Sequence, residues 1–201
     1  MDRTDPDEVT LRSRKIALRR QLVANRNKIN RPVRNATTSS MRDAVLSLPE
    51  IQMAGTVAAY VSVGTEPDTR GLIYALWKRG TYVLLPLLRA DRDLDWASYE
   101  GPDSLGPGPH GLLEPTEPPR GVMAVTSADL VIVPALAVDR GGMRLGRGGG
   151  SYDRALARVG AAVPTIALIY DDELLEEVPA GPLDQPVRMV AQPGQGITRL
   201  R

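Results

Sequence analysis

A chain of 201 residues with 42% hydrophobic content is long enough to form one domain with a substantial apolar core. Its 25 basic and 24 acidic residues nearly cancel, and a net charge of +1 argues against general attraction to nucleic acids or membranes. The absence of cysteine excludes disulfides, thiolate catalysis and cysteine-ligated zinc, and the single histidine, His110, argues against a histidine-rich metal site or a Ser-His-Asp triad.

The first predicted element is a long N-terminal helix. The segment from Asp5 to Glu8 has the pattern of a helix start, with Asp5 as the N-cap and Pro6 in the first turn. An apolar stripe follows, and the helix should end near Asn30. The stripe consists of Leu11, Leu18, Leu22 and Ile29. Because the sequence has no apolar leader and no run of about 20 apolar residues, we expect a cytoplasmic protein.

Two basic residues of this helix are spaced so that they share a face. Lys15 and Arg19 lie one turn apart and therefore project in the same direction. Such a pair is either an ordinary solvated surface or part of an anion site, depending on what else converges on it. A second helix is predicted from Ser40 to Leu48, with Met41 and Val45 directed inward.

Strands and helices alternate in the rest of the chain. The β run from Thr56 to Val63 ends in a turn that contains Glu66, and the helix from Leu72 to Trp77 is closed by Gly80. Further predicted elements are the strands Thr81–Leu85, Leu94–Tyr99, Asp129–Pro134, Thr165–Tyr170 and Val187–Ala191, and a short acidic helix over Asp172–Val178. The alternation predicts an α/β fold: a single domain over residues 1–201, with a mostly parallel central sheet, helices on both faces, and the N-terminal helices of residues 5–48 packed on it.

The most informative segment is a glycine-rich loop between a strand and a helix. Residues 143–153 read MRLGRGGGSYD and follow the apolar run Leu130–Val138. Glycine allows the backbone to approach an anion closely, and the first N–H groups of the following helix lack internal partners. Arg144 and Arg147 add positive charge, and Asp153 is suited to hold a metal ion. The alternative interpretation is an ordinary turn.

Acidic residues follow several of the predicted strands, where open α/β sheets bind their ligands. Glu66 follows the first strand, and Asp171 and Asp172 follow a late one. Glu66 is either a binding carboxylate or a charge that favours entry into the next helix. The chain lacks the P-loop motif Gly-x-x-x-x-Gly-Lys-Ser/Thr and has no Gly-x-Gly-x-x-Gly after its first strand. The remaining interpretation is a site for a nucleotide or an anionic substrate, built from an unusual loop, arginines and Mg²⁺.

The loop and four other segments resemble the 5-formyltetrahydrofolate cyclo-ligase family, also called methenyltetrahydrofolate synthetases. The loop motif is matched by residues 143–153, and the family's opening Lys-x-x-x-Arg is matched by residues 15–19. The glutamate turn after the first strand is matched by Val61 to Glu66. The segment Leu113 to Pro115 and an aspartate before the last strand, Asp184, continue the likeness in the same order.

The resemblance implies a reaction as well as a fold. It is the ATP- and Mg²⁺-dependent conversion of 5-formyltetrahydrofolate, with or without a polyglutamate tail, into 5,10-methenyltetrahydrofolate with release of ADP and phosphate. In this family the formyl oxygen is thought to attack the γ-phosphate, after which N10 closes the ring and phosphate leaves. Phosphoryl transfer depends on positioning and charge neutralisation, so the lack of a cysteine or histidine nucleophile is no obstacle. The small-molecule substrate implies neither a nucleic-acid nor a membrane partner, and we expect a monomer.

The resemblance also assigns roles to particular residues. ATP-binding residues would be Lys15, Arg19, Arg144, Gly146, Arg147, Gly148, Gly149, Gly150, Ser151 and Tyr152. Folate-binding residues would be Val61, Glu66, Arg147, Gly148, Gly149, Gly150 and Ser151, with Glu66 accepting N–H bonds from the pterin edge. Catalytic residues would be Arg144, Arg147 and Tyr152, and metal-binding residues would be Asp153 and Asp184.

Three positions depart from the family pattern, and two other functions stay open. Ser151 stands where an aromatic residue is usual, Leu183 stands where histidine is usual, and an aromatic residue is missing near His110. One alternative is a non-catalytic relative that senses a nucleotide or sugar phosphate. The other is an enzyme of the same scaffold that acts on a different phosphorylated or acyl substrate.

Overall fold

The computed structural model describes residues 6–200, apart from the side chains of Pro6 and Arg31. The helices of this part of the chain are α1 (Pro6–Lys28), α2 (Arg31–Leu46), α3 (Pro49–Met53), α4 (Arg70–Lys78) and α5 (Ser151–Arg158). The strands are β1 (Thr56–Ala58), β2 (Tyr82–Leu88), β3 (Leu94–Ser98), β4 (Leu105–Pro107), β5 (Leu113–Pro115), β6 (Leu130–Pro134), β7 (Ala137–Asp139), β8 (Arg144–Leu145), β9 (Thr165–Leu168), β10 (Leu174–Leu175), β11 (Met189–Gln192) and β12 (Gly196–Arg199). Within residues 6–200, no helix has both the length and the apolar content needed to cross a bilayer.

A seven-stranded sheet in the order β12-β11-β9-β6-β1-β2-β3 forms the centre of the fold. The strands from β11 to β2 run parallel, and β12 and β3 are antiparallel edge strands. A small sheet, β10-β7-β8, and the hairpin β4-β5 lie outside it. The predicted fold class, a mostly parallel α/β sheet with an N-terminal helix, is confirmed.

Alternating strand residues belong to two separate apolar clusters, one on each face of the sheet. On β6, Leu130 and Ile132 join the cluster that contains residues of α2 and α4, whereas Val131 and Val133 join the cluster around Leu156 of α5. Since successive side chains of a strand point to opposite faces, this division shows helices on both sides of the sheet. Parallel strands covered on both faces expose only their carboxyl ends to ligand.

The small sheet supports α1, which lies across one end of the molecule. Leu22 of α1 is buried against Leu136 and Leu145, and Leu18 packs at the edge of the same cluster. A fully buried ion pair, which the sequence did not suggest, fastens the helix further along: Arg26 Nε lies 2.6 Å from Glu173 Oε1, and Arg26 Nη2 donates to Ala135 O at 2.6 Å. These contacts fix the helix face that carries the two basic residues of the site.

The predicted strand Asp129–Pro134 is confirmed as β6, and after Ala135 the apolar run continues as β7 of the small sheet. Another predicted element is wrong in a way that the contacts of Glu173 explain. The acidic helix over Asp172–Val178 is replaced by a single 3-10 turn and β10. Glu173 is held inside by Arg26 and accepts the Tyr170 N–H at 2.7 Å, so the chain cannot continue as a solvent-facing helix.

Other differences concern boundaries. The second helix starts at Arg31 rather than Ser40, because Asn30 caps it by accepting the Val33 N–H at 3.0 Å. The first strand stops at Ala58, and the backbone then bonds to Thr69, whose hydroxyl accepts the Ser62 N–H. The last parallel strand is Met189–Gln192, and β12 was not predicted. The predicted N-cap Asp5 lies outside the described residues.

The Arg26 pair gives a stability prediction. Replacing Arg26 with methionine leaves Glu173 buried without its cation, and we expect a loss of about 3–5 kcal/mol in the free energy of unfolding. The matched control is Arg14→Met on the same helix, whose pair with Glu177 is exposed on both sides (55% and 70%). The control should change stability by less than about 1 kcal/mol. Urea unfolding of both variants is the measurement, and equal small losses would contradict the prediction.

Candidate active site

A cavity of about 570 Å³ opens beyond the carboxyl ends of β1 and β6. It is bounded by α1, the turn after β1, the glycine-rich loop, the β4-β5 hairpin and the loop before β11. Every residue to which the family resemblance assigned a role lines it. These residues are Lys15, Arg19, Val61, Glu66, Arg144, Gly146, Arg147, Gly148, Gly149, Gly150, Ser151, Tyr152, Asp153 and Asp184. Asp171 and Asp172, the acidic residues after the late strand, are not among the residues that line the cavity.

Arg144 is the most buried cation of the cavity. Its side chain is only 2% exposed, and Nη2 donates to Asp153 Oδ1 at 2.9 Å. Its Nε is buried and has no hydrogen-bond partner in the described part of the chain. Desolvation lowers the pKa of Arg144, although the nearby Asp153 carboxylate opposes that shift. A buried guanidinium with a free donor is suited to an anionic ligand that the protein itself does not supply.

Two further cations come from α1 and confirm that their side chains share a face. Lys15 Nζ lies 2.5 Å from Asp184 Oδ2, which also accepts the Gly181 N–H. Arg19 Nε donates to the Gly146 carbonyl at 2.8 Å. The helix therefore brings positive charge directly to the start of the glycine-rich loop.

The glycine-rich loop needs glycine at particular positions. Gly148 and Gly150 have φ values of +102° and +70°, which side-chain-bearing residues rarely adopt. A Cβ on Gly148 would lie 3.3 Å from the Arg19 guanidinium carbon, so a side chain there would require Arg19 to shift by a few tenths of an ångström. Gly150 is also the N-cap of α5, which directs the first N–H groups of the helix toward the cavity end of the loop.

Glu66 lies on the other side of the loop and is already paired. Its Oε1 accepts from Arg147 Nε at 2.8 Å, and its Oε2 accepts the Val63 N–H at 2.8 Å. The Glu66 side chain is 7% exposed, whereas that of Arg147 is 53% exposed. Arg147 is thus the exposed partner of a buried carboxylate, and its Nη2 also donates to the Val63 carbonyl at 3.2 Å.

Several lining residues were missed by the sequence analysis. Tyr60 precedes the predicted Val61 on the same wall, and the hairpin contributes Leu112 and Glu114. Glu114 accepts the Leu88 N–H at 2.8 Å, so it joins the hairpin to the end of β2. The Leu-Glu-Pro motif marked this hairpin in the sequence without indicating a role, and nothing marked Tyr60.

The hydrogen bonds of Asp153 and Asp184 show whether each carboxylate has an oxygen available for Mg²⁺. Asp153 uses Oδ1 for Arg144 and for the Gln185 N–H, and Asp184 uses Oδ2 for Lys15. Each keeps one carboxylate oxygen without a hydrogen bond among the described residues. The part of the chain that the structure describes contains no group of three or more His, Cys, Asp or Glu side chains that could hold a metal ion. Since Mg²⁺ is usually held by one or two carboxylates together with substrate phosphates and water, the pair fits such an ion.

The whole cavity wall falls within a match to one family. Residues 12–193 match the family model described as the 5-formyltetrahydrofolate cyclo-ligase family. A protein from Mycolicibacterium smegmatis named 5-formyltetrahydrofolate cyclo-ligase is 41% identical over 193 residues, which are 93% of this chain and 97% of that protein. This chain belongs to the 5-formyltetrahydrofolate cyclo-ligase family.

Other cyclo-ligases support the assignment. The 5-formyltetrahydrofolate cyclo-ligase of Escherichia coli K12 is 32% identical over 154 residues, covering 75% of this chain and 85% of that one. The NMR structure of Aquifex aeolicus 5,10-methenyltetrahydrofolate synthetase superposes with a TM-score of 0.81 at 28% identity and covers 93% of both chains. The family and the enzyme class predicted from the sequence are thereby confirmed.

Proposed function

We propose that this cyclo-ligase family member converts 5-formyltetrahydrofolate into 5,10-methenyltetrahydrofolate with consumption of ATP and release of ADP and phosphate, assisted by Mg²⁺. The observation that carries the proposal is the division of one cavity into two chemically different parts. One part holds the cations Lys15, Arg19 and Arg144, of which the buried Arg144 has an Nε without a hydrogen-bond partner among the described residues, and the other holds Glu66 among apolar side chains. The glycine-rich loop lies between them.

The cationic part suits a nucleoside triphosphate. Lys15, Arg19 and Arg144 would bind its phosphates, together with the N–H groups of residues 146–152. Asp153 and Asp184 would hold Mg²⁺ through their free oxygens, where the ion neutralises charge on the phosphates. The carboxylates also keep Arg144 and Lys15 in place, so the same ion pairs orient the groups that meet the phosphates.

The other part suits a pterin. Glu66 would accept N–H bonds from the amino-pyrimidinone edge once Arg147 moves away, and Val61 would pack beside the ring. A displaced Arg147 would still carry its positive charge to the boundary between the two parts, where the formyl oxygen takes the phosphoryl group. Its guanidinium stabilises charge that develops there.

The proposed phosphoryl transfer requires neutral hydrogen-bond donors and positive charges rather than a nucleophilic side chain of the protein. Burial raises the pKa of the Tyr152 phenol, and the Glu66 carboxylate raises it further, so Tyr152 stays protonated and can donate a hydrogen bond. The Tyr152 ring lies 5.9 Å from the Arg144 guanidinium carbon, which supports a role for the tyrosine beside the proposed phosphate-binding arginine. Positioning of this kind is what phosphoryl transfer requires.

A spectrophotometric assay tests the proposal against its main alternative. Purified protein is mixed with 5-formyltetrahydrofolate, ATP and Mg²⁺, and the near-ultraviolet absorbance of the methenyl product is followed. We expect a signal that needs all three components. Binding of ATP without any turnover would instead favour a nucleotide sensor. The same proposal includes a cytoplasmic location, a monomeric state and acceptance of polyglutamylated folates.

Glu66→Gln tests the pterin assignment. The neutral amide loses the charge-assisted bonds to the ring, so we expect the KM for 5-formyltetrahydrofolate to rise about 10- to 100-fold with little change in the KM for ATP. Steady-state kinetics with each substrate varied in turn is the measurement. Glu176→Gln, at a side chain that is 88% exposed, is the control. An unchanged folate KM in Glu66→Gln would remove Glu66 from the pterin site.

A further inference from the structure

Tyr60 has a polar group that the protein leaves unused. The residue is 3% exposed, lines the cavity, and its hydroxyl has no hydrogen-bond partner among the described residues. Its backbone carbonyl is fixed by the Thr69 hydroxyl at 2.5 Å, so the side chain has a defined place on the wall beside Val61. Burying a hydroxyl without a partner destabilises a protein, so a missing acceptor is the natural explanation.

The surroundings of the hydroxyl indicate which part of the cavity it serves. Burial raises the pKa of Tyr60 most, and the nearby Glu66 carboxylate and the Tyr152 and Tyr170 phenols raise it further, while the Arg26 guanidinium opposes the shift. The Tyr60 phenol therefore stays protonated and is a hydrogen-bond donor. Tyr152 is a second neutral donor near Glu66, and its ring lies 5.9 Å from the Arg144 guanidinium carbon, whereas Tyr60 lies beside Val61 on the wall of the cavity.

We propose that the Tyr60 hydroxyl donates a hydrogen bond to the ring carbonyl of the pterin and so selects substrates with an amino-pyrimidinone edge. That edge presents N–H donors next to one carbonyl acceptor, and a carboxylate can satisfy only the donors. Glu66 and Tyr60 together match the complete pattern of acceptor and donor. The inference rests on the proposed function, since it names a second contact to the same folate.

Tyr60→Phe removes the hydroxyl and almost nothing else. We expect the KM for 5-formyltetrahydrofolate to rise about tenfold, because one hydrogen bond is lost, while the KM for ATP is unchanged. The melting temperature of the ligand-free variant should be equal to or above that of the wild type, since the hydroxyl has no partner there. The rise in melting temperature that 5-formyltetrahydrofolate produces should be smaller in the variant.

Tyr82→Phe is the matched control. The Tyr82 hydroxyl is also buried and has no hydrogen-bond partner within residues 6–200, but the residue lies on β2 and is not among those that line the cavity. Both variants should keep or gain stability without ligand, and only Tyr60→Phe should lose affinity for folate. This contrast separates a binding role from a general effect of removing a buried hydroxyl.

Each contrary result has a distinct meaning. A wild-type folate KM and a wild-type ligand-induced melting shift in Tyr60→Phe would overturn the Tyr60 assignment while the cyclo-ligase activity stands. A lower melting temperature of the ligand-free variant would also overturn it, because the hydroxyl would then have a partner inside the protein. A wild-type protein that neither turns over 5-formyltetrahydrofolate nor is stabilised by it would reject the proposed function and this inference with it.

Discussion

Replacing Asp153 with asparagine is expected to lower kcat by about 100- to 1,000-fold, the usual cost of removing one preorganised electrostatic contact from an active site. Asparagine has nearly the same shape, and its carbonyl oxygen can still accept from Arg144 and from the Gln185 N–H. The change removes the negative charge that would hold Mg²⁺ and balance the Arg144 guanidinium. Initial rates measured over a range of Mg²⁺ concentrations should show half-saturation at a higher concentration than in the wild type.

The control for Asp153→Asn is Asp172→Asn. Asp172 is an exposed acidic residue that follows β9 at the same edge of the sheet but does not line the cavity. The Asp172→Asn variant should have the same kcat and the same Mg²⁺ dependence as the wild type. Wild-type turnover by Asp153→Asn would contradict the metal assignment, and an equal loss in both variants would indicate a general effect of negative charge at this edge.

The residues that line the cavity were easier to predict than the boundaries of the helices and strands around them. The glycine-rich loop is local, so its residues 143–153 identify it wherever the chain places them. Lys15 and Arg19 could be paired with each other from helical spacing alone, and the resemblance to a known family linked them to Asp184. The observed contact between Lys15 and Asp184, at 2.5 Å, depends on the packing of α1 and on no pattern in either segment.

What the sequence could not indicate are pairings between distant buried polar groups. Arg26 looks like one of many basic residues on a long helix, and Glu173 looks like part of an acidic helix. Their bidentate contact joins residues 147 positions apart and holds Glu173 inside, where the sequence had predicted an acidic helix. Tyr60 likewise reads as part of an apolar strand, and only its unpartnered hydroxyl in the folded chain marks it.

The contacts between buried polar groups were not predicted for a physical reason. Periodicity reports which side of an element faces the core, because burial of apolar surface dominates its free energy. A buried ion pair or hydroxyl is stabilised only by a particular partner, whose identity depends on tertiary structure. Sequence patterns therefore located the helices, most strands and the loop, whereas the polar contacts that hold the cavity open became visible only when the elements were assembled.

Arg144→Lys is expected to have the largest effect on turnover, a loss of about 1,000-fold or more in kcat, as for arginines that stabilise phosphoryl transfer. Arg144 can bond Asp153 through Nη2 while its Nε is free to meet a phosphate. Lysine keeps the positive charge but has a single nitrogen on a flexible stem, so it cannot make both contacts in the same geometry. The KM for 5-formyltetrahydrofolate should change little, because Glu66 and Arg147 are untouched. Stopped-flow or steady-state measurement of methenyl product formation tests this directly.

Arg140→Lys is the matched control for that experiment. Arg140 lies in the same segment before the loop, is 72% exposed, and pairs only with the exposed Glu176 at 3.3 Å. It should retain wild-type kinetics, since an exposed pair contributes little and neither residue lines the cavity. Circular dichroism and a melting curve establish that Arg144→Lys is folded at the assay temperature. If a folded Arg144→Lys turns over at the wild-type rate, the geometry of the guanidinium is not what the reaction uses, and the phosphate site must be built around Lys15 and Arg19 instead.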